Sequence, residues 1–111
     1  MVFPIPAEKI EHRHYIDGAF TESSDGGKFE LKSPYNHEKI TDICEASVED
    51  INRAVAAAKA AFPAWSAKSP AERGALLKAL AAKVRAAGTE LAQLNAMYMG
   101  RPVEQDGLRE D

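Results

Sequence analysis

The sequence contains one short pattern that could bind a metal ion, the pair His12 and His14 in EHRHY. Two histidines separated by one residue point to the same side of a β-strand, and imidazole is a common zinc ligand. No cysteine, aspartate or third histidine follows at a spacing that completes such a site. Isolated pairs of this kind are usually solvent-exposed side chains near a terminus. The spacing therefore predicts no metal site.

Cys44 is the single cysteine and a candidate nucleophile. Reactive cysteines lie beside cationic groups or helix N-termini, which stabilise the thiolate. Cys44 ends the strand-like run ITDIC and is followed by Glu45, so its neighbours in sequence provide neither feature. We interpret it as a small buried apolar residue. A lone cysteine without a disulfide partner is typical of a reducing compartment, and we predict the cytoplasm.

The glycine-rich and acidic segments also lack the patterns of a catalytic or cofactor-binding site. SSDGGK, residues 23–28, has neither GxGxxG nor GK[ST] spacing and no helix directly after it, so we interpret it as a turn. Glu49 and Asp50 are typical of the first turn of a helix, where acidic residues favour the helix dipole. Glu104 and Asp106 belong to a polar tail. The residues predict no catalytic and no cofactor-binding side chain.

The composition is that of a small soluble domain. Of 111 residues, 45% are hydrophobic and 28% are charged, and the formal net charge is −3. This charge gives no basic patch for nucleic acid. No apolar run approaches the roughly 18 residues of a membrane span, and no basic and apolar leader begins the chain. We predict neither a nucleic acid nor a membrane partner.

The elements that would position these residues differ between the two parts of the chain. Residues 1–46 contain most of the β-forming residues and turn signals, and we predict three or four short antiparallel strands there. Asp17-Gly18 in YIDGAF is a dipeptide of tight hairpins. KFELK and ITDIC, separated by a loop at Pro34, predict further strands. Such a ribbon is only marginally stable unless another element covers one face.

Residues 47–111 predict two or three helices. Ser47 and Asp50 form a capping box at the start of the first helix, and Pro63 should end or kink it near Phe62. Its apolar face is formed by Val48, Ile51, Val55, Ala58, Phe62 and Trp65. Trp65, at the end of this face, is predicted to pack in a core or an interface.

The second helix has an equally clear start. Ser69 is the predicted cap, Pro70 occupies the first helical position and Glu72 completes the box. Gly88 is predicted to interrupt the helix, which continues or restarts in TELAQLNAMY, and Arg101 begins a break before Pro102. The apolar positions of this part are Leu76, Leu77, Leu80, Val84, Ala87, Leu91, Leu94 and Tyr98. Together the helices have more apolar surface than this short chain can cover.

The order of these segments resembles the amino-terminal part of the aldehyde dehydrogenase superfamily. YIDGAF is similar to the family strand and turn ING.W, and KFELKSPYNHEKI is similar to a strand that ends in NP.TGE.I. The segments EASVEDINRAVAAAKAAFPAW and SPAERGALLKALA resemble the helices EDV..AV.AA..AF..W and S..ER...L..LA, and MGRPV stands where the family has TGKP. The match covers roughly residues 14–105.

The resemblance implies a Rossmann-like α/β parent enzyme that oxidises an aldehyde to a carboxylic acid with NAD or NADP. The nucleophilic cysteine, the catalytic glutamate and the phosphate loop of the family lie downstream of the matched region. None of them transfers to this chain, and Cys44 does not match the nucleophile. Many members bind a monovalent cation at positions that match Lys32 and Tyr98, but Tyr98 lacks the expected carboxylate.

Two functions are compatible with these features. The first is the amino-terminal portion of an aldehyde dehydrogenase, part of its cofactor-binding domain, catalytically silent alone and without a cofactor of its own. Its helix faces would then pack against the remainder of the enzyme or other subunits. The alternative is a stand-alone α+β interaction module that dimerises or docks through the same apolar faces.

Overall fold

The computed structural model describes residues 4–100 and contains the predicted strands followed by helices. A short 3₁₀ turn at Ala7–Lys9 comes first. The elements are β1 (His14–Ile16), β2 (Ala19–Thr21), β3 (Lys28–Lys32), β4 (Lys39–Cys44), α1 (Val48–Ala67), α2 (Pro70–Ala86) and α3 (Gly88–Met99). Strands thus occupy the first part of the chain and long helices the second, as the sequence predicts.

The four strands form two small sheets. β1 and β2 pair antiparallel, with Ile16 opposite Ala19, so that Asp17 and Gly18 form a two-residue turn. Both turn residues have positive φ, 51° and 78°, as a tight hairpin of this type requires. The Asp-Gly prediction is confirmed. β3 pairs with β4 in a second two-stranded sheet.

Local hydrogen bonds define the start of α1. The Asp50 amide donates to Ser47 Oγ (3.1 Å) and the Ser47 amide donates to Asp50 Oδ2 (3.0 Å), which confirms the capping box. The predicted end near Phe62 is wrong, because the helix continues through Pro63 to Ala67, whereas the alternative of a kink there stays a prediction. A proline removes one backbone donor, and a helix near its end can continue despite that loss.

The boundaries of α2 and α3 follow their sequence signals. The Ser69 amide donates to Glu72 Oε2 (2.8 Å), and the Glu72 amide donates back to Ser69 Oγ (3.1 Å). α2 ends at Ala86 and α3 begins at Gly88, so the predicted interruption is observed. Gly100 ends α3 in the left-handed conformation, with φ of 70°. The predicted break at Arg101 lies outside the described residues.

Tertiary contacts group the chain into two compact units that do not coincide with the division at residue 46. Within the described residues, the first unit contains 4–11, 30–42 and 80–100, and the second contains 12–29 and 43–79. The first unit has a small apolar core of Ile5, Ile10, Ile40 and Met97, against which Leu31, Leu94 and Tyr98 pack. The division into 1–46 and 47–111 as parts of a cofactor-binding domain stays a prediction.

The second unit contains the β1–β2 hairpin and α1, which contact each other. The hairpin turn faces a row of small residues on the helix, and together they line an open groove formed by Tyr15, Ile16, Asp17, Gly18, Ala54, Ala57, Ala58 and Ala61. Alanine allows the hairpin to approach the helix closely because it has no side chain beyond Cβ. The wider apolar face of α1, from Val48 to Trp65, remains exposed.

Candidate functional site

A group of hydrogen bonds in the second unit surrounds the carboxylate of Asp50, which is only 1% exposed. The Ser24 amide donates to both carboxylate oxygens, at 3.2 and 3.1 Å, and the Ser47 amide donates to Oδ2. Arg53 Nη2 donates to Oδ1 at 3.0 Å. His14 Nε2 lies 3.9 Å from Oδ2. We call this arrangement the Asp50 network.

These donors stabilise the ionised form of the carboxylate. The backbone hydrogen bond from Ser47 is the largest cause that lowers the pKa of Asp50, and the bonds from Ser24 and Arg53 act in the same direction. Burial opposes them, but the pKa remains far below its usual value. Asp50 is therefore a fixed anion that connects the start of α1 to the segment after β2. It is a structural group rather than a proton donor or acceptor.

A second polar group lies in the same unit. Glu22 Oε1 is 3.2 Å from His12 Nε2, and the Cys44 thiol donates to Glu22 Oε2 at 3.0 Å. One possible ligand atom from each of these residues lies within 4.8 Å of the other two. Cys44 is buried, His12 is half-buried and Glu22 is exposed. We call this the His12–Glu22–Cys44 cluster.

Hydrogen bonds in the same segments hold the cluster in place. The Cys44 amide donates to the His12 carbonyl (3.0 Å), which fixes the backbones of two of its members. Ser23, next to Glu22, donates its hydroxyl to the Glu45 carbonyl at 2.6 Å. The Cys44 thiol is the largest cause that lowers the pKa of Glu22, with His12 and Lys28 acting in the same direction against partial burial.

The surroundings of Cys44 do not resemble those of an enzymatic nucleophile. The group that accepts its hydrogen bond is a carboxylate, whereas activated cysteines lie beside cations or helix N-termini. The thiol is also 4% exposed, which confirms the interpretation of a buried residue. Ser24 and Asp25 form a turn that is closed by the Gly26 amide, which donates to the Ser23 carbonyl at 3.1 Å, and Gly26 and Gly27 connect this turn to β3. The predicted turn is therefore confirmed.

The positions that match the family's cation site lie in the first unit. Lys32 ends β3, and Tyr98 lies in α3 against the apolar core. Burial raises the pKa of the Tyr98 phenol. Tyr98 thus contributes to the packing of the first unit.

The sequence patterns indicated His12 and Cys44 but not Glu22, which joins them. Glu22 is 10 residues from His12 and 22 from Cys44, so no local spacing signals the cluster. Its position depends on the hairpin, which returns the end of β2 next to the start of β1. The Asp17-Gly18 turn is the only local signal that could have suggested this proximity.

Comparison with known proteins identifies the family. The model of the aldehyde dehydrogenase family matches residues 20–108. The chain belongs to the aldehyde dehydrogenase family. The resemblance based on the order of its segments is therefore confirmed. The Rossmann-like α/β fold class is likewise confirmed, because the similar solved structures are aldehyde dehydrogenases.

Similar proteins include betaine aldehyde dehydrogenases of bacteria. The protein of Rhizobium etli strain CIAT 652 is 38% identical over 92 residues, which are 83% of this aldehyde dehydrogenase chain and 19% of the relative. Among solved structures, PnpE from Pseudomonas sp. WBC-3 is 43% identical with a TM-score of 0.84, over 89% of this chain and 20% of that one.

The betaine aldehyde dehydrogenase of Staphylococcus aureus in complex with NAD⁺ is 32% identical with a TM-score of 0.84, over 91% of this chain and 20% of that one. The chain thus spans about a fifth of the length of the relatives it matches. It corresponds to their amino-terminal part. Within the described residues, no helix is both long and apolar enough to cross a bilayer.

Proposed function

We propose that this chain forms the amino-terminal part of a cytoplasmic, oligomeric aldehyde dehydrogenase that uses NAD or NADP. Its role is to provide a packing scaffold for the remainder of the enzyme, and it contributes no catalytic residue. The relatives that it matches include enzymes solved with NAD⁺. The reaction of the whole enzyme would be the oxidation of an aldehyde to a carboxylic acid.

The exposed apolar faces of the helices carry this proposal. In α1, Val48 is 79% exposed and Phe62 is 65% exposed. In α2, Leu76, Leu77, Leu80 and Val84 are all about half exposed. Such contiguous apolar surface marks an interface. A chain that spans about a fifth of its relatives has a natural occupant for these faces, the other four fifths of the enzyme.

The described residues do not fit a dinucleotide cofactor. A phosphate-binding loop requires glycines that lead from a strand into a helix, so that backbone amides and the helix dipole face the phosphates. Gly26 and Gly27 lead into a strand instead, and the three long helices begin at serine caps or at Gly88. The described residues therefore provide no phosphate-binding loop of this type.

A chimaeric enzyme tests the proposal. Residues 20–108 would replace the matching segment of the Rhizobium etli betaine aldehyde dehydrogenase, and NADH formation from betaine aldehyde would be measured. We expect the chimaera to retain turnover, because its buried helix faces keep their apolar character. Val55→Lys in the chimaera should abolish soluble, active enzyme, whereas Ala60→Lys should have little effect because it lies on the opposite side of α1.

Two results would contradict the proposal. Equal tolerance of Val55→Lys and Ala60→Lys would show that the apolar face of α1 remains exposed in the whole enzyme. Aldehyde-dependent NADH formation by the purified 111-residue chain would show that the chain is catalytically complete. The matches give no support to the stand-alone module, and a homodimer of the isolated chain in sedimentation would be the observation that favours it.

A further inference from the structure

The His12–Glu22–Cys44 cluster has no role in the proposed scaffold function, and its chemistry is that of a metal site. It combines an imidazole, a carboxylate and a thiol, the three side-chain types that bind zinc in proteins. They come from three separate segments of the second unit. A cluster of this composition differs from the exposed acidic groups that are common on protein surfaces.

The distances within the cluster are close to those of a coordinated ion. Zinc lies about 2.0–2.3 Å from nitrogen, oxygen and sulfur ligands, which places tetrahedral ligand atoms about 3.3–3.6 Å from one another. Here His12 Nε2 lies 3.2 Å from one oxygen of Glu22 and Cys44 Sγ lies 3.0 Å from the other, and one ligand atom of each residue lies within 4.8 Å of the other two. An ion would draw the most widely separated of these atoms together by up to about 1.5 Å, which side-chain rotation can provide.

The charges of the cluster and its exposure to solvent are also suitable for a divalent ion. A divalent ion, one thiolate and one carboxylate sum to zero charge, so burial of the thiol would not leave an unpaired charge. The thiol would release its proton to solvent when the metal binds. Glu22 and His12 are accessible to water, which provides an entry path for the ion and room for a water ligand.

The backbone is already fixed where these ligands attach. The Cys44 amide is bound to the His12 carbonyl, and the Glu45 amide is bound to the Gly27 carbonyl at 2.9 Å. A preformed framework reduces the cost of ordering the ligands when the ion binds. We propose that His12, Glu22 and Cys44 form a site for zinc or a similar divalent ion, with water as the fourth ligand.

Cobalt titration of the full 111-residue chain under reducing conditions tests this site, with Co²⁺ as a spectroscopic substitute for zinc. We expect one equivalent to produce a thiolate-to-cobalt charge-transfer band that equimolar Zn²⁺ removes. Loss of a residue that only hydrogen-bonds to a metal ligand commonly costs 10- to 100-fold in affinity. Glu22→Gln and His12→Gln change the ligands themselves, so each should weaken binding by at least about tenfold. Cys44→Ala should abolish the band.

Matched controls separate this site from unspecific binding. Glu45→Gln removes a neighbouring carboxylate and His37→Gln removes another histidine, and neither residue belongs to the cluster. Both should leave the affinity unchanged. An equal loss of affinity in the controls would overturn the proposal. Unchanged affinity in both Glu22→Gln and His12→Gln would also overturn it, because the thiol would then bind cobalt without the other two ligands.

Thermal melts of the unaltered chain do not depend on the folding of any variant. A ligand that binds the folded state raises the melting temperature by mass action. Zn²⁺ should therefore raise the Tm of the unaltered chain, and an unchanged Tm would overturn the proposal. Neither experiment measures aldehyde oxidation, so the metal site and the proposed function can fail independently.

Discussion

The two units of the chain are stabilised in different ways. The first is built on an apolar core of Ile5, Ile10, Ile40 and Met97. The second is built on a buried carboxylate, Asp50, which accepts hydrogen bonds from backbone amides and from Arg53. The first unit is therefore stabilised by burial of apolar surface, and the second by hydrogen bonds to a buried charge.

This difference also indicates what each unit contributes to an enzyme. A polar network fixes the hairpin to the start of α1 without using the apolar face of the helix. That face, from Val48 to Trp65, thus remains exposed and available for the packing proposed above. In the first unit, Leu80 and Val84 of α2 likewise remain about half exposed beside the small core. The residues that stabilise each unit from within are therefore different from the exposed apolar residues that are proposed to pack against other parts of the enzyme.

The largest effect is expected from truncation in the apolar core. Ile40 is 5% exposed and Ile51 is 53% exposed, so the same substitution can be compared at a buried and an open position. Ile40→Ala should lower the free energy of unfolding by about 2–4 kcal/mol, since it removes buried methyl groups and leaves a cavity. Ile51→Ala should change it by less than about 0.5 kcal/mol in the same urea titrations. Similar losses at both positions would mean that the core does not dominate the first unit.

Removal of the charge on Asp50 is the corresponding test of the second unit. Asp50→Asn keeps the shape of the side chain, but its amide nitrogen cannot accept the hydrogen bonds that the carboxylate oxygens accept. We expect Tm to fall by several degrees. Glu49→Gln, a substitution at the exposed neighbouring position, should leave Tm nearly unchanged. If the two variants had the same Tm, the Asp50 network would not contribute to stability.

Acid should weaken the second unit through the same carboxylate. The folded-state pKa of Asp50 lies below its usual value of 3.8, so the unfolded chain takes up the proton first as the pH falls. The stabilisation is complete well above that value and is lost progressively below it, down through the folded-state pKa. Urea midpoints measured from pH 6 to pH 2.5 should therefore fall less steeply for Asp50→Asn. If the midpoints of Asp50→Asn and of the unaltered chain fell in parallel with pH, the acid sensitivity would come from other groups.

The polar features of the second unit could be predicted from sequence because they are local. Ser47 and Asp50 lie three residues apart, and the capping box follows directly from their types. The two further donors to Asp50 differ in this respect. Arg53 is one helical turn away, but Ser24 is 26 residues distant, and only the tertiary fold brings it to the carboxylate.

The apolar core of the first unit could not be predicted in the same way. Ile5, Ile10, Ile40 and Met97 come from distant segments, and no periodic pattern connects them. The His12–Glu22–Cys44 cluster presents the same difficulty, since Glu22 has no signal of its own. Family membership was predictable because it depends on the order of many segments rather than on the position of any side chain.

Pro63 was the one helical signal that gave a wrong boundary, and it provides the smallest predicted effect. A proline inside a helix lacks an amide donor and clashes with the preceding turn, but it also restricts the unfolded chain. Because these effects oppose each other and α1 ends at Ala67, Pro63→Ala should stabilise the chain by only about 1 kcal/mol in urea titrations. Pro70 occupies the first position of α2, where no donor is lost, so Pro70→Ala should stabilise nothing. Loss of the restriction on the unfolded chain can only destabilise. Equal gains at Pro63 and Pro70 would therefore show that the gain at Pro63 does not come from a restored helical hydrogen bond.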